Sequence, residues 1–441
     1  MAPDWVEYRT GDLIDQGVLA IGDGYRAKNS ELAATGIPFA RAGNIESGFH
    51  FEDADHFPET DLSKVGEKIS CPGDVVFTSK GTVGRFAFVR DNTPRFVYSP
   101  QLCYWRSLDD NVIDARFLFY WMQSREFRLQ ADGVKGQTDM ADYVSLGDQR
   151  RMRLTLPNID EQRAIARILG ALDDKIELNR RMNQTLEEMA RAIFKSWFVD
   201  FDPVVSKAEG RQPYGMNAET AMLFPSAFQD SELGSIPKGW QVGRISDLLQ
   251  QSRMGLDPSE FPDEVFSHYS IPAFDNGGVP LQEFGASIKS NKYLIPASVV
   301  LLSKLNPETP RVWWPASGNQ LRPICSTEFI VAMPVNGVPA EFLYSLFKSS
   351  DFSAEFATLV TGTSGSHQRV KPEDFMRMRV VVPSTKVITA YQRVTAPLFR
   401  RARFARSESV TLAAIRDALL PKLLSGEMRV KDATDFQRIS G

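Results

Sequence analysis

Two glycine-rich segments of the chain carry side chains that form directional hydrogen bonds. They are Lys135-Gly-Gln-Thr-Asp139 and Thr361-Gly-Thr-Ser-Gly-Ser-His-Gln-Arg369. Arg donates paired hydrogen bonds to guanine, Gln pairs with adenine, and glycine lets the backbone approach a nucleic acid closely. The residues predicted here to contact DNA are Lys135, Gln137, Thr138, Thr363, Ser364, Ser366, His367, Gln368, Arg369 and, just beyond the second segment, Lys371. The alternative interpretation is a flexible surface loop in both places.

A turn near residue 80 offers a second kind of chemistry, the binding of phosphate by cations and backbone N–H groups. Ser79-Lys80-Gly-Thr-Val-Gly-Arg85 has a cation near each end, and Ser303-Lys304 begins a similar stretch. The phosphate candidates are Lys80, Thr82, Arg85, Lys304 and Arg311, and the further DNA candidates are Arg41, Asn44, Gln101 and Arg322. A solvated hairpin turn is the alternative. Trp313 and Trp314 could stack on a base, but packing in a core is favoured.

The sequence lacks the motifs that would indicate an enzyme. It has no Gly-x-x-x-x-Gly-Lys-Ser/Thr phosphate loop, no Gly-x-Ser-x-Gly elbow and no His-Glu-x-x-His. Asn306-Pro307 is followed by Glu308 rather than by the aromatic residue with which amino-methyltransferases hold a base. None of the histidines is spaced from another His or Cys as metal ligands are. These absences argue against catalysis by this chain and predict no catalytic, metal or cofactor site.

The elements that must position these residues occur twice along the chain. Gly136–Pro157 aligns with Gly362–Pro383 without a gap, and seven of the twenty-two positions are identical. The identical pairs are Gly136/Gly362, Val144/Val370, Asp148/Asp374, Arg151/Arg377, Met152/Met378, Arg153/Arg379 and Pro157/Pro383. The dipeptide Ser79-Lys80 recurs as Ser303-Lys304, and Phe117-Leu118 recurs further along as Phe342-Leu343, so the order is the same in both copies. A tandem duplication that has diverged suggests a target with two similar but different halves.

A long helix is expected after the first copy. Asn158 with Glu161 three residues on is a capping arrangement, and apolar residues then recur every seven positions. The apolar positions and the one polar seam residue are Ile165, Leu172, Asn179, Leu186 and Ile193. The pattern predicts a helix of about 38 residues, roughly 57 Å long, and a coiled-coil partner. Thr385–Leu424 is a similar stretch that we expect Pro397 and Pro421 to kink.

The sequence therefore predicts alternating β-rich units and long helices. Two heptad helices in one chain most simply pack on each other, and an antiparallel pair would hold the two units apart. The predicted boundaries are 1–157 for the first β-rich domain, 158–199 for the central helix, 200–238 for a linker, 239–383 for the second β-rich domain, 384–426 for the distal helix and 427–441 for a tail.

Composition sets wide limits on the class of protein. The 441 residues are 43% apolar and 24% charged, as in ordinary soluble proteins. Cys71, Cys103 and Cys325 lie far apart without the spacing of metal ligands, and three cysteines do not suggest a disulfide framework. No apolar run approaches the roughly 18 residues of a membrane span. We expect a cytoplasmic protein that has no signal peptide and does not associate with membranes. The net charge of −4 leaves nucleic-acid binding open, because binding depends on local patches.

Four segments resemble one known family. The segments are Leu156-Pro-Asn-Ile-Asp-Glu-Gln-Arg-Ala-Ile-Ala-Arg-Ile-Leu169 with Leu172-Asp-Asp-Lys-Ile-Glu-Leu-Asn179, Ala192-Ile-Phe-Lys-Ser-Trp-Phe-Val-Asp-Phe-Asp-Pro203, Glu232-Leu-Gly-Ser-Ile-Pro-Lys-Gly-Trp240 and Leu419-Leu-Pro-Lys-Leu-Leu-Ser-Gly-Glu427. Together they resemble the specificity subunits of type I restriction-modification enzymes over nearly the whole chain. The implied fold class is α+β, with two β-rich target-recognition domains separated by two long α-helices that form an antiparallel coiled coil.

The resemblance also implies a function and a set of partners. Each recognition domain would read one half of an interrupted site in double-stranded DNA, without catalysis by this chain. Two methylation subunits would dock on the long helices and bring S-adenosylmethionine, and a restriction and translocase subunit would bring ATP and Mg. This chain itself would hold no cofactor. The competing hypotheses are a coiled-coil scaffold with protein-binding domains and a stand-alone DNA-modifying enzyme.

Overall fold

The structure is a computed structural model that describes residues 4–46, 48–134, 142–315, 320–361 and 368–430. The helices over these residues are α1 (Thr10–Asp15), α2 (Ala115–Met122), α3 (Arg125–Val134), α4 (Leu146–Gln149), α5 (Ile159–Phe198), α6 (Asp202–Ala208), α7 (Ala218–Met222), α8 (Ile245–Leu248), α9 (Ile271–Asp275), α10 (Ala340–Lys348), α11 (Ser350–Thr358), α12 (Pro372–Arg377) and α13 (Thr385–Leu424).

The strands are mostly short. They are β1 (Val6–Arg9), β2 (Leu19–Asp23), β3 (Ile37–Ala40), β4 (His56–Phe57), β5 (Val75–Thr78), β6 (Phe86–Phe88), β7 (Val97–Tyr98), β8 (Leu102–Ser107), β9 (Arg153–Leu156), β10 (Phe228–Ser231), β11 (Gly234–Pro237), β12 (Gln241–Arg244), β13 (Leu249–Ser252), β14 (Gly255–Leu256), β15 (Val265–Tyr269), β16 (Leu281–Phe284), β17 (Lys292–Leu294), β18 (Val300–Ser303), β19 (Val312–Trp313), β20 (Arg322–Ser326), β21 (Phe329–Pro334), β22 (Val360–Thr361), β23 (Arg369–Val370) and β24 (Arg379–Val382).

The chain folds into two compact units, and each unit is assembled from separate stretches of sequence. The first unit consists of residues 1–178 and 408–441, and the second consists of residues 179–407. The boundary falls inside both long helices, so each unit contains one part of α5 and one part of α13.

The first unit is built on a four-stranded antiparallel sheet in the order β2-β8-β5-β6. Its inner strand β5, Val75–Thr78, is buried on both faces, as its continuous apolar run predicts. A second small sheet has the order β4-β3-β7, with β3 and β7 parallel. The first strand, β1, pairs antiparallel with β9, the last strand before α5.

The second unit repeats this plan. Its four-stranded sheet has the order β13-β21-β18-β19, and β18 is again buried along its whole length. The sheet β14-β17-β20-β15-β16 contains one parallel pair, β15 with β20, and β12 pairs with β24 just before α13. The repeated topology confirms the duplication that the sequence predicts, and the architecture confirms the predicted α+β class.

The central helix α5 begins where the capping residues predict. The side-chain Oδ1 of Asn158 accepts a hydrogen bond from the backbone N–H of Glu161 at 3.0 Å. The helix runs for 40 residues and contains Gly170 without a break. A side chain at Gly170 would meet the guanidinium of Arg116, which donates to the Gly170 carbonyl at 3.0 Å. The glycine therefore leaves room for the Arg116 guanidinium against α5.

The distal helix α13 continues through both of its prolines. It runs from Thr385 to Leu424, so Pro397 and Pro421 both lie within it. A proline inside a helix removes one hydrogen bond and costs about 3 kcal/mol, but apolar residues beside each proline, such as Phe399 and Leu423, are buried and favour the helix. Gly426, with a φ of 69°, follows the last turn as a left-handed stop.

The two long helices are antiparallel within each unit. In the first unit Asp173 of α5 pairs with Arg416 of α13, while Lys175, further along α5, pairs with the earlier residue Glu408. In the second unit Glu187 pairs with Arg406, and the carbonyl of Ala190 accepts a hydrogen bond from Tyr391 at 3.4 Å. The order is again reversed, and the predicted antiparallel pairing is confirmed in both units.

Within the first unit, Asp173 and Asp174 of α5 bind side chains of α2 and α13. Asp173 accepts hydrogen bonds from the hydroxyl of Tyr120 at 2.6 Å and from Arg416 at 2.8 Å. Asp174 accepts two from Arg116, at 2.9 and 2.6 Å, and pairs with Arg90 as well. Burial opposes ionisation of Asp174, but the two arginines hold its pKa below the ordinary value.

The segment 200–238, predicted as a linker, is folded. It contains the helices α6 and α7 and the hairpin β10–β11. Val204, Phe224 and Ile236 are buried in the core of the second unit. The turn residues that suggested a linker connect these short elements, and the apolar residues between them attach the segment to the core.

A buried ion pair in the first unit gives a test of its stability. Asp74 is fully buried and accepts hydrogen bonds from Nε and Nη2 of Arg106, at 2.5 and 2.8 Å, and from the Tyr98 hydroxyl at 2.6 Å. Burial, followed by the charge of Asp74, raises the pKa of Tyr98. We expect Asp74→Asn to lower the free energy of unfolding by about 3–5 kcal/mol, because Arg106 loses its counter-charge. Urea denaturation followed by circular dichroism measures this.

The matched control is Glu7→Gln, which breaks the exposed ion pair between Glu7 and Arg153. Solvent screens this pair, so its loss should change the free energy of unfolding by less than about 1 kcal/mol. Equal effects of the two substitutions would contradict the structural importance of Asp74.

Candidate nucleic-acid interface

In the first unit the turn between β5 and β6 lies beside the chain that leaves the first glycine-rich segment. The carbonyl of Ser79 accepts a hydrogen bond from the N–H of Val144 at 2.9 Å, and Gly81 N–H donates to the Asp142 carbonyl at 3.0 Å. Lys80, whose side chain is exposed, forms an isolated bridge with Tyr143. Two regions that the sequence singled out separately are therefore adjacent.

The second unit has the same arrangement, shifted by one residue. The carbonyl of Lys304 accepts from Val370 at 3.0 Å, and the N–H of Asn306 donates to the carbonyl of Gln368 at 3.0 Å. The isolated bridge now joins Leu305 to Arg369. Because Val144 and Val370 are equivalent in the duplication, both units place a Ser-Lys turn against the end of a glycine-rich segment.

Four predicted residues of the first unit meet at one short 3-10 helix, Ala42–Ile45. The N–H of Ala42 donates to Oε1 of Gln101 at 3.2 Å, and its carbonyl accepts from Nη1 of Arg85 at 3.3 Å. Asn44 accepts from the N–H of Arg41 at 2.8 Å and donates to the carbonyl of His50 at 2.9 Å. The amides of Asn44 and Gln101 thus hold the turn, while Arg41 and Arg85 flank it.

The predicted arginines in the described part of the chain are each paired with a carboxylate. The pairs are Arg41 with Asp55, Arg85 with Glu46, Arg311 with Asp275, Arg322 with Glu264 and Arg369 with Glu328. The predicted lysines Lys80, Lys304 and Lys371 form no ion pair with a described residue. The positive charges of these lysines are therefore available to bind phosphate. Each predicted arginine, in contrast, is held in its orientation by an Asp or Glu carboxylate.

The arginines differ in how far solvent reaches them. The Arg311 side chain is 13% exposed and binds both oxygens of Asp275, at 2.7 and 3.0 Å. Arg322 lies 4.4 Å from the centre of the Phe261 ring and 5.1 Å from that of Phe266. Both guanidinium groups hold the fold of the second unit together, which makes them weaker candidates for contact with DNA.

Arg369 is the most accessible of the three predicted arginines in the second unit. Its side chain is 44% exposed, and Nε and Nη2 bind the two oxygens of Glu328 at 3.0 and 3.2 Å. Hydrogen bonding to Glu328, with the charge of that carboxylate, holds the pKa of Arg369 above its ordinary value. A paired guanidinium of this kind is planar and oriented, as recognition of a base requires.

Of the remaining predicted residues, Thr82 and Lys371 are exposed and the others are not described. Thr82 is exposed in the β5–β6 turn, where its carbonyl accepts from the Thr78 hydroxyl at 2.5 Å. Lys371 is exposed at the N-terminus of α12. Lys135, Gln137, Thr138, Thr363, Ser364, Ser366 and His367 lie outside the described residues.

The sequence reasoning missed Tyr143 and the acidic partners. Tyr143 is 42% exposed, bridges Lys80 and is equivalent to Arg369 in the duplication. The alignment could have revealed it, because the two copies differ in chemistry at this position. The carboxylates could not be found in this way, since residues such as Glu46 and Glu328 carry no local signal. Trp313 is 5% exposed and packs against Tyr269, so the prediction of a core role is confirmed.

The described residues form neither a cluster of metal ligands nor a membrane-spanning helix. No group of three or more His, Cys, Asp or Glu side chains in the described ranges could hold a metal ion. None of the described helices is long and apolar enough to cross a membrane.

Comparisons with known proteins identify the first half of the chain. Residues 3–188 match the sequence model of the family described as "Type I restriction modification DNA specificity domain". This range covers nearly all of the first β-rich part and continues into α5.

Full-length relatives have the same description. The chain is 27% identical to the specificity subunit of the type I restriction enzyme HindI from Haemophilus influenzae, over 96% of this chain and all of that one. It is 20% identical to the MjaIX specificity subunit from Methanocaldococcus jannaschii, over 97% of this chain and 94% of the relative.

A solved structure has the same fold. The crystal structure of a type I restriction-modification S subunit from M. genitalium superposes with a TM-score of 0.56 at 14% identity, over 95% of this chain and 96% of that one. The duplicated sheets, the antiparallel long helices and the full-length relatives agree. Over nearly its whole length the chain is similar to the specificity subunits of type I restriction-modification enzymes, and its residues 3–188 match the family model of their DNA specificity domain.

Proposed function

We propose that this chain reads a bipartite, interrupted DNA site, with one β-rich unit for each half. In the first unit the reading surface comprises the β5–β6 turn, the 3-10 helix Ala42–Ile45 and segment 135–143. In the second it comprises residues 304–306 and segment 362–371. Lysines such as Lys80 and Lys371 contact phosphates, and the glycine-rich segments contact base edges.

One observation supports this proposal above others. Both units pair a Ser-Lys turn with the end of a glycine-rich segment, but at the equivalent exposed position of the bridge one unit has Tyr143 and the other has Arg369. A repeated scaffold with different exposed side chains fits a target whose two halves have similar geometry and different sequence.

The chain acts with partners and is not itself an enzyme. Two methylation subunits dock on the long helices and use S-adenosylmethionine, and a restriction subunit uses ATP and Mg. The net charge of −4 and the paired arginines favour weak DNA binding by the isolated chain. Methylation subunits that close around the duplex would supply the missing affinity.

Methylation sequencing tests the proposal directly. The chain is expressed together with the methylation subunit encoded beside it, in cells that lack other adenine methylation. We expect an interrupted two-part motif with adenine methylated in both halves, because each recognition domain selects one half. The control strain expresses the methylation subunit without this chain and should show no such motif.

The competing hypotheses give different results. A protein scaffold would associate with the methylation subunit and leave the DNA without a motif. A stand-alone modifying enzyme would bind S-adenosylmethionine as an isolated chain, which calorimetry would detect and which the proposal does not expect.

Substitution of Arg369 or Gln368 by alanine should relax specificity in one half-site only. A base contact is worth about 1–3 kcal/mol of discrimination, so methylation of sites with a single changed base in that half should rise. Arg211, which is exposed and paired with Glu209 in the same unit, provides the control substitution Arg211→Ala with no expected change. Uniform weakening at all sequences would instead identify Arg369 as a phosphate contact.

The long helices are proposed to set the gap between the half-sites. Forty residues at 1.5 Å each span about 60 Å, longer than one turn of DNA. Inserting one heptad after Leu178 and one after Ser407, at the boundary between the units, adds about 10 Å to each helix. The preferred gap should lengthen by about three base pairs, as methylation sequencing would show.

An insertion of equal length in a loop provides the control. Tyr214 is fully exposed in the segment between α6 and α7, so seven residues added there should leave the gap unchanged. A gap that stays the same after insertion into both helices would contradict the spacer role.

A further inference from the structure

The second unit contains a cavity of about 200 Å³ with an aromatic wall. Trp314, Tyr344 and Phe399 form the wall, with the rings of Trp314 and Tyr344 centred 5.6 Å apart and those of Trp314 and Phe399 centred 5.4 Å apart. A dry cavity of about 150 Å³ holds a benzene ring. This one has room for a single flat ring that stacks on or packs against aromatic side chains.

The charges around the cavity are mainly positive. The cavity is lined by Lys348, Arg403 and Arg406. Among the described lining residues, Glu187 provides a carboxylate. Arg406 lies 3.4 Å from Glu187, whereas Lys348 and Arg403 form no ion pair with a described residue. Lys348 and Arg403 thus bring two positive charges to the wall that are not neutralised by an ion pair within the described part of the chain.

The two unpaired cations are placed for different contacts. The guanidinium of Arg403 lies 4.4 Å from the centre of the Trp314 ring, and the ammonium of Lys348 lies 5.9 Å from that of Tyr344. Burial lowers the pKa of Lys348, and the charge of Glu187 opposes this effect only in part. A bound anion would stabilise that charge.

In the first unit, the position equivalent to the aromatic cavity is occupied by hydrogen-bonded ion pairs. The duplication aligns Phe119 with Tyr344 and Asp173 with Phe399. In the first unit Asp173 binds Tyr120 and Arg416, and its neighbour Asp174 binds Arg116 and Arg90. The second unit has Phe399 where the first has an aspartate, and its Arg403 and Lys348 line a cavity. The cavity is thus a specific difference between the two copies.

A second cleft continues from the cavity. It has a volume of about 460 Å³ and shares Trp314 and Arg403 with the first. A ligand whose ring enters the aromatic cavity could therefore place a polar group past Arg403 in the wider cleft.

We propose that this cavity binds a nucleoside monophosphate, with the base against Trp314, Tyr344 and Phe399 and the phosphate on Arg403 and Lys348. The aromatic wall accounts for the flat ring, and the unpaired cations account for the anion. The inference is independent of the proposed reading of DNA, because the residues involved are not among those assigned to the DNA surface.

Calorimetry with the full-length protein tests the proposal. The probe is adenosine monophosphate, and the two comparison probes are adenosine, which lacks the anion, and inorganic phosphate, which lacks the ring. Adenosine monophosphate should bind saturably, and each comparison probe should bind at least about ten times more weakly, since each retains only one kind of contact. Equal binding of phosphate and the nucleotide would overturn the role of the aromatic wall.

Variants locate the binding. Arg403→Gln should weaken adenosine monophosphate binding by about tenfold or more, and Lys348→Met should also weaken it. Arg400→Gln removes the same charge from an exposed position of α13 outside the cavity lining and should leave binding unchanged. Circular dichroism verifies that each variant is folded. No saturable binding to the parent protein, or equal binding by Arg403→Gln, would overturn the proposal.

Discussion

The structure depends on the burial of the apolar stripes of α5 and α13 in the cores of both units. In the first unit Ile165 and Leu169 of α5 pack in the same core as Leu419 and Leu423 of α13 and the sheet residue Trp105. In the second unit Phe194 and Phe198 occupy one core with Tyr391. Burial of apolar area stabilises by about 25 cal/mol per Å², so each such helix end contributes substantially to its unit. The sheets that carry the candidate surface are thereby fixed to the helices.

Local sequence patterns were sufficient to predict the helices and the duplication. The heptad spacing and the cap at Asn158 depend only on neighbours along the chain, and both are present in the structure. The distal helix over 384–426 was also predicted, but the interaction that stabilises its turns at Pro397 and Pro421 could not be predicted in that way. It depends on tertiary packing of residues such as Phe399, which propensity does not include.

The candidate surface was only partly predictable for a related reason. Residue type identified Lys80 and Arg369, and the alignment of the two copies placed them in equivalent regions. The partners that decide whether an arginine is available, such as Glu328 for Arg369 and Asp275 for Arg311, come from distant parts of the sequence. Their pairing is a property of the fold, so composition and spacing could not reveal it.

The ion pairs of the predicted arginines bear on two properties of DNA binding: discrimination between bases and weak affinity for phosphates in general. A guanidinium that already contacts a carboxylate gains less from a phosphate than a free cation does, because the phosphate must displace the acid. Its orientation is nevertheless fixed, and this suits recognition of a base edge by two hydrogen bonds. On the proposed function, the ion pairs would therefore disfavour indiscriminate binding and retain directional contacts.

The participation of α13 in the first unit has a consequence for synthesis of the protein. Residues 408–430 complete a core whose other members all precede residue 173. During translation the core of the first unit cannot be completed until Leu419 and Leu423 have been made, and these residues follow the whole of the second unit. The part of the chain that is made first is thus completed last, and the second unit, whose residues are contiguous, can fold before it.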